Sequence, residues 1–182
     1  MDSLGTLAAR ALAIALALLA SSPAPAAAEE TAVPSAPDYL PAIRQELARL
    51  DAGAHCDEVS STCLFSRKIA GENREFDYAV RHCRATRTVY LVIERFLTPG
   101  AGSDGPSVDL ARRLLELNRQ MVAAKFEWDR STGAIRLSAV MNTDSNFDRR
   151  AFRSLVKGLW SNAERLWPEL DALASGRGDA GP

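Results

Sequence analysis

The chain has 182 residues, 47% of them hydrophobic and 25% charged, with a formal net charge of −1. That composition fits one globular domain and excludes collagen-like, low-complexity and charge-driven disordered chains. The near balance of acids and bases gives no electrostatic footprint for nucleic acid.

Arg10 leads into an apolar run over residues 11–20, followed by Ser21, Ser22 and Pro23 and then by Ala26, Ala27 and Ala28. A positive residue, a short apolar core and an A-x-A end predict a secretory signal peptide over 1–28, cut before Glu29. A retained anchor is the alternative, but the run falls short of the about 20 residues a membrane span needs. No cysteine stands near the cut and no twin arginine precedes the run, which points to general export without a lipid anchor. After cleavage nothing is left to embed in a membrane. The expected location is periplasmic or secreted, an oxidising setting that permits disulfides.

Residues 29–37, with Pro34 and Pro37, read as a flexible lead. Asp38 is a helix cap and Pro41 suits the first turn that follows. Leu40, Ile43, Leu47 and Leu50 place one apolar stripe on that helix, and Gly53 stops it. A strand-like run around Cys63, Leu64 and Phe65 ends at the turn Gly71-Glu72-Asn73. Phe76, Tyr78 and Val80 then alternate with Asp77, Ala79 and Arg81. After a turn at 84–87, residues 89–97 are apolar on both faces, which predicts an inner strand. These three strands form an antiparallel meander. The loop at 98–106, rich in glycine and proline, leads to a helix over 107–122 with Ala111, Leu114, Leu115, Leu117, Met121 and Val122 on its apolar face.

Phe126 and Trp128 open a hairpin that returns through Ile135, Leu137, Ala139 and Met141. A four-residue loop over 130–133 sets Trp128 opposite Ile135 and Phe126 opposite Leu137; a three-residue loop would mismatch the apolar faces. Phe126, Trp128, Ile135 and Leu137 are therefore expected on one buried face. From Asp148 the helical period returns through Phe152, Leu155, Val156, Leu159, Ala163, Leu166 and Trp167. Arg149, Arg150 and Arg153 read as its solvent side. The expected fold is α+β: helix, three-stranded antiparallel meander, helix, β-hairpin, helix, with one five-stranded antiparallel sheet covered by helices. One domain spans 38–170, and 171–182 is a flexible tail.

The second half carries a family likeness. The helix at 110–117 running into Asn118, the strand Lys125-Phe126-Glu127-Trp128, the hairpin to Met141 and the last helix ending at Trp167-Pro168-Glu169-Leu170 resemble the YbjN-like family of bacterial proteins. That family shares its fold with the small chaperones of type III secretion. The resemblance covers about residues 38–170 and implies a non-enzymatic protein, chaperone-like or sensory and regulatory. An export signal and three cysteines in the first half depart from the cytoplasmic members.

His55-Cys56 and His82-Cys83, with Cys63 between them, are the residues with most chemistry. Zinc takes thiolate and imidazole ligands, but neighbours on a strand point to opposite faces, so each dipeptide offers one ligand. The spacing lacks a C-x-x-C knuckle. One disulfide with one spare thiol is the plainer reading. Cys56–Cys63 closes a short loop and is preferred; Cys63–Cys83 across adjacent strands is the alternative. A thiol- or zinc-dependent hydrolase using the His-Cys pairs is the competing function, and its base would have to reach across strands. No phosphate loop, nucleophile elbow or metalloprotease helix is present, and no cofactor is expected.

Arg81, Arg84 and Arg87 surround one turn and could meet an acidic partner, but a solvated turn with scattered arginines is the plainer reading. Trp160 flanks the apolar stripe of the last helix, partly buried, as a candidate partner anchor or equally as core edge. Asn118 lies within an apolar stripe, and a buried amide must be paired; it is expected to fix the helix-to-strand junction. Together these features point to an exported, non-catalytic module of the bacterial envelope. It would bind a protein or peptide, or a second copy of itself, through a sheet edge or a helix groove.

Overall fold

A computed structural model describes residues 37–69, 71–99, 105–144 and 146–177. The expected signal peptide, most of the lead and the glycine-rich centre of the 98–106 loop lie outside the described residues.

The first helix, α1 (Leu40–Arg49), starts where Asp38 Oδ1 accepts from the Leu40 N–H at 3.0 Å. That bond satisfies one of the donors every helix start leaves open. Leu40, Ile43 and Leu47 are buried. Four strands follow: β1 (His55–Asp57), β2 (Thr62–Lys68), β3 (Glu75–Cys83) and β4 (Thr88–Leu97). Then come α2 (Val108–Gln120), β5 (Ala124–Trp128), β6 (Ile135–Asn142) and α3 (Arg149–Ala174). The α+β class and the order of elements are those the sequence predicts.

The sheet has six antiparallel strands rather than five, in the order β1-β2-β3-β4-β6-β5. The additional strand is β1, whose register sets His55 opposite Leu64 and Cys56 opposite Cys63. Three residues are too few to show a period-2 pattern, so only the pairing with β2 reveals it.

Register divides the sheet into two faces. Cys63, Val80, Leu91 and Ala139 lie side by side across β2, β3, β4 and β6, as do Phe65, Tyr78, Ile93 and Leu137 one row on. These residues are buried with the apolar sides of all three helices. The opposite face carries Leu64, Ala79, Val92 and Ser138 in one row and Thr62, Arg81, Tyr90 and Val140 in the next. Leu64, Tyr90 and Val140 are exposed there.

The hairpin register is the predicted one: Trp128 faces Ile135 and Phe126 faces Leu137. Its four-residue loop closes with the Asp129 N–H donating to Ala134 O at 2.8 Å. Trp128 nevertheless departs from expectation, at 42% exposed, because it ends an edge strand at the margin of the helical layer. Trp160 departs in the opposite sense, at 8% exposed. Its ring stands edge-on to the stacked Phe65 and Tyr78 rings, and the Arg67 guanidinium covers it at 4.4 Å. Enclosed in this way, the ring belongs to the edge of the core.

In α2, Leu110, Leu114 and Leu117 are buried, but Leu115 is 70% and Val122 98% exposed. Leu115 lies about 100° around the helix from Leu114. Val122 follows the end of the helix, where Met121 has already turned to extended backbone.

Asp148 caps α3 by accepting from the Ala151 N–H at 2.9 Å. The helix runs through Pro168 to Ala174, with Leu170 buried, so its last turn occupies the start of the expected tail. Arg149 and Arg153 are not merely its solvent side. Both reach Glu46 of α1, which is 0% exposed and also receives Arg49 at 3.0 Å. A carboxylate sealed from water needs such partners, and these tie the first helix to the last.

Candidate interaction groove

A concave feature on the helical side lies between the end of α2, the start of the edge strand β5 and α3. Its geometry starts with how α2 stops. The last carbonyls of a helix lack intrahelical donors. Lys125 Nζ supplies one, reaching back from β5 to the carbonyls of Asn118 and Met121. Asn118 completes the junction: its Nδ2 donates to Phe126 O at 2.9 Å and its Oδ1 accepts from the Phe126 N–H at 2.7 Å. The amide thus pairs both outward backbone groups of the middle residue of β5, as a neighbouring strand would.

Beside this junction α3 leaves a cavity of about 560 Å³. Leu155 and Gly158 of α3 form one wall, Met121 and Val122 the other, and Ala124 and Ala139 the floor. A Cβ placed on Gly158 would meet nothing within 4 Å. Glycine within a helix destabilises it by about 0.5–1 kcal/mol relative to alanine, and here it keeps the wall low. Arg165 stands at one end, bonded to Asn162 Oδ1 at 3.2 Å. No carboxylate is among the lining residues.

The residues singled out in the sequence lie elsewhere. Arg81, on the open sheet face, donates to Glu94 at 2.7 Å. Arg84 donates to Asp38 at 2.5 Å and so braces the start of α1. Arg87 sits at φ +50 and its carbonyl accepts from the Thr143 N–H. The three arginines are spread over a sheet face, a helix cap and a turn, and do not form one anion-facing cluster. The open face around them carries matched charges, with Arg136 on both Glu127 and Glu94 and Ser66 on Asp77.

Cys56 and Cys63 are joined in a disulfide and Cys83 is free. Hydrogen bonds from Thr86 hold the Cys83 thiol below its ordinary range. His82 is buried on the helical face, against Tyr39 and with Asp38 at 3.6 Å, whereas the register turns Cys83 to the open face. His55 shares that open face, but from Ala79, the residue in its row, Cys83 is four residues along β3, about 13 Å. Neither histidine can take a proton from the free thiol, and two of the three thiols are consumed by the bond. Among the described residues no group of three or more His, Cys, Asp or Glu side chains stands together as a metal site.

The groove residues escaped the sequence reading because they belong to no chemical motif. The available signals were Gly158 inside an otherwise strong helical pattern and Val122 at the end of one.

No protein-family model and no curated protein matches the sequence. Solved structures do. YbjN from E. coli aligns with a TM-score of 0.51 and 17% identity, over 73% of this chain and 91% of its own. The ExsC–ExsE complex aligns with a TM-score of 0.51 and 15% identity, over 74% of this chain and 97% of that one. The HopA1–SchA chaperone–effector complex aligns with a TM-score of 0.49 and 16% identity, over 72% and 95%. The chain has the YbjN-like fold.

Proposed function

We propose that this protein is an exported, non-catalytic module of the bacterial envelope that binds a protein or peptide partner in the groove between α2, β5 and α3. The groove carries the reading: it is concave, walled by apolar side chains, free of carboxylates and continuous with the fully exposed Val122. Such features mark binding surfaces when they stand on a rigid scaffold. The fold supports it, since ExsC, which shares that fold, was solved in complex with a second protein, ExsE. Export is supported by the apolar run at 11–20 with its A-x-A end and by the Cys56–Cys63 disulfide, a bond that persists in oxidising compartments.

The test is fractionation of the producing cell, with the full chain carrying a carboxyl-terminal affinity tag, followed by crosslinking and purification. The mature chain should begin at Glu29, and a second protein should be retained at a fixed ratio. Intact Met1 in the cytoplasmic fraction contradicts export. A chain that stays alone after crosslinking contradicts the binding role.

A further inference from the structure

We infer that the groove accepts an amphipathic α-helix of about 14 residues bearing a bulky apolar residue and a carboxylate, and does not accept an added β-strand. This rests on the binding-module reading and names the partner's form and chemistry.

The backbone decides between helix and strand. A strand entering beside β5 would gain affinity by pairing with free N–H and C=O groups on that edge. Those of Phe126 are already taken by the Asn118 amide. Lys125 draws the α2 terminus over the same edge through the carbonyls of Asn118 and Met121. A strand would therefore bury unpaired backbone groups against an apolar wall, at about 1–3 kcal/mol for each. A helix satisfies its own backbone and brings only side chains.

Length and shape agree. Along α3 the groove runs from Ala151 through Leu155, Gly158 and Asn162 to Arg165. These residues recur at helical spacing on one side of α3, over about 21 Å, or some four turns of a helix lying alongside. Over Gly158 the space is open, so a leucine- or phenylalanine-sized side chain can enter between Leu155 and Val122. Charge fixes the remaining feature. Arg165 has a neutral partner, Asn162, and no carboxylate lines the groove to compete for it. An acidic residue on the incoming helix supplies one, at the end of the groove where α3 runs towards its carboxyl terminus.

The probe is a fluorescein-labelled 16-residue amphipathic helix with leucines on one face and flanking glutamates. Its controls are the same helix with lysines for the glutamates and a version broken by two central prolines. Anisotropy is measured on the mature full chain, on Gly158→Leu, which fills the groove where a Cβ meets nothing, and on Arg165→Glu. The glutamate helix should bind the wild type, and Gly158→Leu should weaken it about tenfold or more. Arg165→Glu should weaken the glutamate helix about fivefold and strengthen the lysine helix, reversing the preference. Equal binding of the proline-broken peptide, unchanged binding by both variants, or no binding at all overturns the inference. The native capture separates the two levels. A cellular partner retained equally by wild type and Gly158→Leu overturns the helix-groove inference and leaves the binding-module reading standing. Probe binding with the predicted variant effects, but without any cellular partner, upholds the groove chemistry and removes the module reading.

Discussion

The side-chain amide of Asn118 stands in for a seventh strand, pairing with both the N–H and the C=O of Phe126 at 2.7 and 2.9 Å. Edge strands invite unwanted pairing, and covering the edge is one way proteins prevent it. Asn118→Ala should lower unfolding free energy by about 1–3 kcal/mol, because it leaves two backbone groups without partners. It should also make the Phe126 amide exchange much faster than that of Leu137. Denaturant midpoints and amide exchange by NMR measure both. An Asn118→Ala protein with wild-type exchange at Phe126 would show that the edge is protected in another way.

Trp128 of the hairpin and Trp160 of the last helix separate burial from sequence pattern. Trp160 is enclosed by Phe65, Tyr78 and Arg67, so Trp160→Ala should cost about 3–5 kcal/mol, as core aromatic truncations do. Trp128 keeps much of its ring in solvent, with Gly105 against one side of it. Trp128→Ala should cost about half as much or less. Midpoints in guanidinium chloride rank the two, and the opposite order would contradict the packing described for α3.

Acid should destabilise the protein in two limbs. Burial alone would raise the Glu46 carboxyl, but hydrogen bonds from Arg153 and Arg149, with the charge of Arg49, outweigh it and hold the pKa below its ordinary 4.5. Stability from that group is present above pH 4.5 and is lost as pH falls through the lower folded value. His82 is lowered by burial, against the pull of Asp38 and with the help of Arg84, from an ordinary 6.5. Below that pH the unfolded chain takes the proton first, so stability falls as pH drops from 6.5. Urea midpoints against pH should show both limbs. His82→Gln should remove the upper one, and Glu46→Gln the lower one, with a loss of about 2–3 kcal/mol at neutral pH. An upper limb that survives in His82→Gln would contradict the assignment.

Much of this fold was legible because local patterns and global packing agree. The hairpin register followed from matching Phe126 and Trp128 with Leu137 and Ile135, since a slip by one would turn every side chain over. The return of the helical period from Asp148 marked the start of α3. What was not legible depended on distant partners. Strand β1 exists through its pairing with β2, with no pattern of its own. Glu46 is buried because Arg149 and Arg153, more than a hundred positions later, close over it. The sequence offered only two arginines one helical turn apart on α3. The groove has the same origin: Met121 follows α2 while Leu155 and Gly158 lie on α3, more than thirty positions later, and they meet only in the folded chain.

A partner seated in the α2–β5–α3 groove would lie against Val122 and leave the open sheet face free. Site-specific photocrosslinking in the producing cell tests this most directly. A photoreactive amino acid at Val122, which is exposed and lines the groove, is compared with one at Tyr90, which is exposed on the open sheet face. A discrete protein adduct is expected from position 122, lost in Gly158→Leu, and none from position 90. Adducts from position 90 with none from position 122 would contradict it.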